Sequence, residues 1–183
     1  MIQYTSRSVQ LLNAEGRNLL HIEEGIFPEH WTDTACQILA HKYFRKKEVP
    51  SQTVYIPMPD MPTWLCPSKP TPEATMGGES DAAQVFHRLA GTWTHWGWRL
   101  GYFAVEAEAM QFYHDLIEDL AMQRAAPNSP QWFNTGLFWA YGIRGDAAGH
   151  YWFDRPLPSA FHIVLATFMI VAGLYHYLNS REA

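Results

Sequence analysis

The feature that most constrains this sequence is a run of twenty residues, 159–178, that contains no charged side chain. Nine of these residues are Leu, Ile, Val or Phe. A helix that rises about 1.5 Å per residue covers about 30 Å over such a run, which is the hydrocarbon thickness of a bilayer. A buried core helix is the alternative, but such a helix is usually shorter and keeps a polar face. The run therefore predicts a single C-terminal transmembrane helix.

Small residues inside this run mark positions where another membrane helix could approach closely. Ala166, Ala172 and Gly173 are the candidate packing positions, because small side chains let helix backbones come near each other. The N-terminal sequence MIQYTSRSVQ lacks the pattern of a signal peptide. We therefore predict a single-pass protein of the bacterial inner membrane with its N-terminal domain in the cytoplasm. Its predicted partners are integral membrane subunits and the lipid bilayer.

The preceding part of the chain is typical of a water-exposed domain rich in aromatic side chains. Apolar residues make up 48% of the sequence, aromatic residues 15% and charged residues 17%, with a formal net charge of −5. This balance gives no electrostatic reason to bind nucleic acid. We predict a soluble, mainly α domain over residues 1–154 with a small N-terminal β-hairpin, followed by a transmembrane anchor over 155–183.

The local patterns predict where the elements of this domain lie. Two apolar runs flank residues 13–16 and predict the hairpin, with Gly16 at the turn. Residues 49–78 contain seven prolines and predict a long extended connection. Thr32 or Asp33 is expected to cap the first helix, Ser80 or Asp81 the second, and Ser129 the last, with Pro130 at its first helical position. Helices are predicted over 27–46, 78–98, 105–126 and 127–142.

Motifs for catalysis or metal binding are missing from the sequence. There is no phosphate-binding loop, no dinucleotide fingerprint and no zinc-protease motif, so we predict no catalytic and no metal-binding residues. His87 and His95 are expected to be packed or surface side chains. Cys36 and Cys66 are thirty residues apart and are expected to be structural thiols.

Three long segments of the sequence resemble, in the same order, the N-terminal region of class II ribonucleotide reductases, the vitamin B12-dependent enzymes. They are ILAHKYFRKKEVP, GESDAAQVFHRLAGTWTHWGWRLGYF and QRAAPNSPQWFNTGLFWAYGIRGDAAGHYWFD, and the resemblance covers about residues 6–154. In that family the region leads into an α/β barrel with the radical cysteine, the reducing cysteine pair and the adenosylcobalamin site. The family uses the segment that matches NSPQWFNTG near the nucleotide pocket, which implies that Ser129 faced the substrate. No cysteine follows Asp154, so we expect this chain not to be an enzyme.

The end of the chain resembles a second family, over a much shorter stretch. The motif from Ala172 to His176, AGLYH, is similar to one in light-harvesting antenna polypeptides of purple bacteria, in which the histidine ligates bacteriochlorophyll magnesium. The resemblance implies a bacteriochlorophyll or carotenoid at the transmembrane helix, with His176 as ligand, and no cofactor of the chain's own. The alternative is an interfacial histidine that bonds a neighbouring subunit or a lipid headgroup.

Two functions follow from these patterns. The first is a non-catalytic, single-span accessory subunit that docks on and stabilises a larger bacterial membrane complex, and the predicted host is a photosynthetic reaction centre–light-harvesting complex. The alternative is a truncated or split N-terminal fragment of a class II ribonucleotide reductase. The apolar tail favours the first hypothesis, because a split reductase has no need of a membrane span.

Overall fold

The structure is a computed structural model that describes residues 2–12 and 15–144 of the chain. The predicted anchor 155–183, with its span 159–178, lies outside these residues. No helix within the described ranges has the length and apolar character needed to cross a bilayer. The described part is largely helical and begins with a β-hairpin, which confirms that portion of the predicted fold class.

The N-terminal hairpin forms where the sequence predicts it. Strand β1 (Tyr4–Leu12) pairs antiparallel with β2 (Asn18–Pro28). Gly16 has φ +74°, a left-handed conformation that glycine adopts without steric cost. Val9 and Phe27, one on each strand, are buried in the main core. The hairpin therefore contributes one wall of that core.

Helix α1 (Asp33–Ile38) is shorter than the predicted helix and is followed by a π-helical turn, Leu39–Tyr43. Thr32 is its N-cap, and the Thr32 hydroxyl accepts a hydrogen bond of 3.2 Å from the Ala35 amide. The predicted range 27–46 was too long at both ends, because its first residues belong to β2 and the chain becomes extended at Phe44.

The proline-rich stretch contains no α-helix, as predicted, but it is more ordered than a simple connection. It forms two short antiparallel ladders and one turn of 3-10 helix. The ladders pair β3 (Val49–Pro50) with β6 (Met76–Gly77) and β4 (Thr53–Tyr55) with β5 (Ser68–Pro70), and the 3-10 turn is Thr63–Leu65.

Two long helices follow the proline-rich stretch. Helix α2 (Ala82–Arg99) starts with a capping box, in which the Asp81 carboxylate accepts a 2.7 Å hydrogen bond from the Ala83 amide and the Gln84 side chain accepts from the Asp81 amide. Helix α3 (Glu106–Ala121) packs against α2. Both helices lie within the ranges predicted for them, apart from the last residue of α2.

The last predicted helix, 127–142, is two helices in the structure. Helix α4 spans Ser129–Asn134 and helix α5 spans Leu137–Tyr141. Gly136 lies between them with φ +85°, a left-handed conformation that interrupts a right-handed helix. Ser129 is the first residue of α4 and not its cap, because Asn128 occupies the N-cap position.

The buried apolar side chains form two clusters. The larger one joins the hairpin, α1 and α2, with contributions from α3 and α4, and includes Phe27, Leu39, Phe86, Leu120 and Trp132. The second joins β3 to α5 and includes Val49, Leu137, Trp139 and Ile143. Helix α2 lies between them: Phe86 belongs to the first cluster, and the Trp139 ring lies against Gly91.

Replacement of Gly91 by Ala is expected to destabilise the fold by about 1–3 kcal/mol, the usual cost of overpacking a core. The added Cβ would lie 2.1 Å from Cη2 of Trp139. The indole cannot yield easily, because it is 3% exposed and its Nε1 donates a 2.9 Å hydrogen bond to the Leu65 carbonyl. Gly77→Ala is the matched control, since a Cβ there meets nothing within 4 Å. Urea unfolding measures both variants, and a Gly91→Ala protein at least as stable as the wild type would contradict the packing described.

Candidate functional site

A fully buried ion pair lies at the centre of the described structure. Glu79 precedes α2 and Arg88 lies two turns into it. The side chains are both 0% exposed, and Nε of Arg88 lies 2.8 Å from Oε1 of Glu79. Burying two charges is costly unless the remaining donors and acceptors are also paired.

The Glu79 carboxylate is fully hydrogen-bonded. Besides Arg88, Oε1 accepts a 2.9 Å hydrogen bond from the Tyr141 hydroxyl. Oε2 accepts from the backbone amide of Arg45 at 2.7 Å and from Nη2 of Arg88 at 3.4 Å. The carboxylate thereby links three separate parts of the chain: α2, the stretch after α1, and α5.

The other donors of Arg88 contact backbone carbonyls. Nη1 donates to the carbonyl of Thr135 at 2.8 Å, and Nη2 donates to those of Trp132 at 2.8 Å and Tyr43 at 3.2 Å. Charge-assisted hydrogen bonds of this kind are stronger than bonds between neutral groups. Arg88 therefore fixes the end of α4 against the middle of α2.

Tyr141 stays protonated in this network. Burial, first, and the nearby Glu79 carboxylate raise the pKa of Tyr141 well above its usual value. The phenol therefore remains a hydrogen-bond donor to Glu79 over the physiological pH range.

The residues from Ser129 to Gly136, here called the Ser129–Gly136 segment, lie next to this pair, with an exposed first turn and a buried end. The Ser129 hydroxyl is exposed and lies 3.2 Å from the hydroxyl of Tyr43. The Tyr43 ring stacks on Trp132 with a centroid distance of 5.6 Å. At Gly136, an added Cβ would lie 2.1 Å from the Arg88 carbonyl oxygen. Only glycine therefore allows the segment to come this close to α2.

One polar atom of the segment has its hydrogen-bonding capacity unused. Asn134 is 4% exposed, and its Oδ1 has no hydrogen-bond partner among the described residues. A buried acceptor in this state costs free energy.

The structure places several residues that the sequence singled out. His87 and His95 are packed, which is one of the two outcomes expected for them: Nδ1 of His87 lies 2.7 Å from the Tyr113 hydroxyl, and Nδ1 of His95 lies 2.9 Å from the Leu65 carbonyl. Cys36 and Cys66 are buried, free thiols. Across the described ranges, no group of three His, Cys, Asp or Glu side chains could bind a metal ion. The predicted pigment ligand His176 and packing positions Ala166, Ala172 and Gly173 lie outside those ranges.

The Glu79–Arg88 pair is not predicted by the sequence patterns described above. A weak signal for it exists, because Arg88 lies between Val85 and Thr92 on a face of α2 that also buries Leu89. A lone arginine on such a face indicates a buried partner, but the pattern of α2 does not identify Glu79 as that partner.

A second concave feature lies at the C-terminal end of α2. It is an apolar cavity of about 370 Å³, open to one side. Leu100 and Tyr102 are 67% and 76% exposed at its rim. Its lining contains no charged or metal-binding side chain, so it provides no group for catalysis or for binding a metal ion. Its main lining residues are Trp93, Trp96, Leu100, Tyr102, Phe103 and Phe112.

Replacement of Arg88 by Met is expected to destabilise the fold by about 3–5 kcal/mol, because it leaves the Glu79 charge buried without its partner. Arg124→Met is the control, since Arg124 is 54% exposed and its ion pairs with Glu118 and Asp119 lie at the surface. That change should cost less than about 1 kcal/mol. Chemical denaturation measures the free energy of unfolding of both variants. Equal losses of this free energy would show that the buried ion pair stabilises the fold no more than the exposed one does.

Stability is also expected to depend on the protonation of His87. Burial lowers the pKa of His87, so the unfolded chain binds a proton at a higher pH than the folded one. The resulting contribution to stability is present above the unfolded pKa, about 6.5, and is lost as the pH falls through that value towards the folded pKa. His87→Gln should therefore lose less stability than the wild type between pH 7.5 and pH 5. Identical losses in the two proteins would contradict a neutral, buried His87.

Comparisons with known proteins give one consistent family. The family model for class II vitamin B12-dependent ribonucleotide reductase matches residues 5–123. The vitamin B12-dependent ribonucleotide reductases of Bradyrhizobium diazoefficiens and Agrobacterium fabrum are 42% and 43% identical to this chain over 161 residues, which is 84% of this chain and 13% of each relative. The enzyme of the same name from Rhodopirellula baltica is 28% identical over 149 residues, 81% of this chain and 12% of the relative. The chain therefore spans 12–13% of the length of these relatives.

These matches overturn the first functional hypothesis. The prediction of an accessory membrane subunit of a photosynthetic reaction centre–light-harvesting complex is wrong, because the relatives aligned with 84% of the chain are ribonucleotide reductases. The predicted partners (integral membrane subunits and the bilayer) and the predicted inner-membrane location are wrong for the same reason. The resemblance to antenna polypeptides is not supported by any of these relatives.

The alternative hypothesis, a truncated or split N-terminal fragment of a class II ribonucleotide reductase, agrees better with these matches, which point to a reductase N-terminal region. The resemblance seen over residues 6–154 agrees with the family match over residues 5–123, and the Glu79–Arg88 pair lies within that match. This chain belongs to the class II, vitamin B12-dependent ribonucleotide reductases and corresponds to their N-terminal region.

Proposed function

We propose that this chain serves as the N-terminal region of a vitamin B12-dependent ribonucleotide reductase and performs no reduction by itself. Its role is to present the Ser129–Gly136 segment to the nucleotide, while the remaining part of the enzyme supplies the radical chemistry. The observation that carries this proposal is the alignment of 84% of the chain with only 13% of each of two much longer reductases.

The thiols of this chain do not suffice for the reaction. The family's reduction requires a radical-forming cysteine and a reducing cysteine pair, and the sequence contains only Cys36 and Cys66. Each is 1% exposed. Burial raises the pKa of the Cys36 thiol, which disfavours the reactive thiolate. The cysteines that carry the reaction therefore have to come from the remaining part of the enzyme.

The described residues also do not fit vitamin B12. The aromatic cavity has a volume of about 370 Å³, near the lower end of the roughly 300–1,000 Å³ typical of small-molecule sites, and a corrin ring with its axial ligands needs more room. Its lining side chains are aromatic or aliphatic and provide no ligand for cobalt. We therefore assign no step of the reaction to a cofactor bound by this region.

The geometry of the Ser129–Gly136 segment agrees with a role in presentation. Its exposed face carries the Ser129 hydroxyl beside that of Tyr43, whereas Trp132 is buried beneath it. Hydroxyl groups on a rigid, packed support are suited to contact a polar ligand such as a nucleotide.

A hybrid enzyme tests the proposal. The region of the Agrobacterium fabrum reductase that aligns with this chain is replaced by the aligned residues of this chain, and ribonucleotide reduction is measured with added adenosylcobalamin. The hybrid should reduce ribonucleotides, and this chain alone should not. The Agrobacterium enzyme without the region is the control and should be inactive. A folded hybrid without activity, or turnover by this chain alone, would contradict the proposal.

A further inference from the structure

The guanidinium of Arg88 joins two distant parts of the chain to α2. It donates to the Tyr43 carbonyl, which follows α1, and to the carbonyls of Trp132 and Thr135, which belong to the Ser129–Gly136 segment. A guanidinium is planar and presents its donors in fixed directions. The positions of these carbonyls relative to α2 are therefore set by a single rigid group.

Besides Arg88, the Ser129–Gly136 segment is held by apolar packing, since Trp132 is buried in the main core and its ring stacks on Tyr43. Its own helix contributes little to its orientation. Helix α4 has six residues, and Asn128 makes no side-chain capping hydrogen bond to it. Helices this short are not stable in isolation, and the carbonyls near a helix end lack partners within the helix. Arg88 supplies donors to carbonyls in that region.

Stability alone does not explain this arrangement. Apolar residues of similar size often stabilise a fold as well as a buried ion pair does, or better. The cost of burying this ion pair is understandable if the orientation of the segment matters more than its stability.

We infer that Arg88, oriented by Glu79, is a positioning residue of the reductase: it fixes the Ser129–Gly136 segment in the orientation that ribonucleotide binding requires. This inference rests on the proposed function, in which the segment faces the nucleotide. Arg88 itself is 0% exposed and acts through the carbonyls of Trp132 and Thr135.

The test needs a variant that folds without the pair. In Glu79→Gln/Arg88→Met no charge remains buried at this position, and the introduced glutamine keeps an oxygen that can accept from Tyr141. This double variant should be more stable than Arg88→Met alone. Arg88→Lys retains the charge but cannot reach the carboxylate and the carbonyls together, because an ammonium lacks the extended planar geometry of a guanidinium.

The first measurement is amide hydrogen exchange on the full-length chain. The amides of residues 131–137 should exchange faster in the double variant than in the wild type, whereas those of α3 should keep their rates. Unchanged rates in residues 131–137 would overturn the inference without touching the proposed function.

The second measurement uses the hybrid enzyme. The unmodified hybrid has to be active, because its activity tests the proposed function, whereas the variants of the hybrid test only the role of Arg88. The double variant and Arg88→Lys should each lower kcat/KM for the ribonucleotide by about 10- to 100-fold, as expected for a misplaced contact near a substrate, mainly through KM. The KM for adenosylcobalamin should stay within about twofold, because the described residues offer no site that fits this cofactor. A purely structural role would lower kcat through the folded fraction and leave both KM values unchanged, and that result would overturn the inference.

Discussion

The buried ion pair of Glu79 and Arg88 is the interaction on which the described structure most depends. An isolated charge in such a place would be prohibitively costly. Here each charged group is hydrogen-bonded to the other and to surrounding backbone or hydroxyl groups. The network contacts the stretch after α1, the end of α4 and the end of α5, so removal of either charge would disturb all three.

The hairpin is tied to the same place by backbone hydrogen bonds. The amide of Ile26 on β2 donates to the carbonyl of Ser80 at 2.9 Å, one residue from Glu79. The backbone amide of Glu79 in turn donates to the carbonyl of Arg45 at 2.7 Å. The residues just before α2 thus contact the N-terminal hairpin and the stretch after α1 directly, and they reach the Ser129–Gly136 segment through Arg88. This connectivity explains how a region with short elements can still present one segment in a defined orientation.

The sequence predicted the elements whose signals are local. Gly16 marked the hairpin turn and Asp81 the start of α2, because a left-handed turn and a side-chain cap depend on a few adjacent residues. The break at Gly136 was missed, since its left-handed conformation is required by the close approach of the Arg88 carbonyl, a contact across 48 residues. The pairing of Glu79 with Arg88 was missed for a similar reason. It depends on which face of α2 is buried against α4 and α5, and the sequence pattern of α2 alone does not specify that.

The prediction of a membrane accessory subunit was wrong because it relied too heavily on the hydrophobicity of one segment. An uncharged run, residues 159–178, indicates a favourable transfer free energy into apolar surroundings, but that property does not identify a host complex. The three segments within residues 6–154 that resemble the reductase family were the more specific observation, because many residues match in the same order. They also include Arg88, Trp132 and Gly136, the residues that turned out to shape the candidate site.

The central claim is that this region presents the Ser129–Gly136 segment to the nucleotide in an assembled reductase. Its most direct test is amide hydrogen exchange of the hybrid enzyme with and without a ribonucleotide substrate. The claim predicts slower exchange in residues 129–136 when the nucleotide is bound, and unchanged exchange in the exposed turns of α3. Exchange in residues 129–136 that does not respond to saturating nucleotide, in a hybrid that reduces it, would contradict the claim.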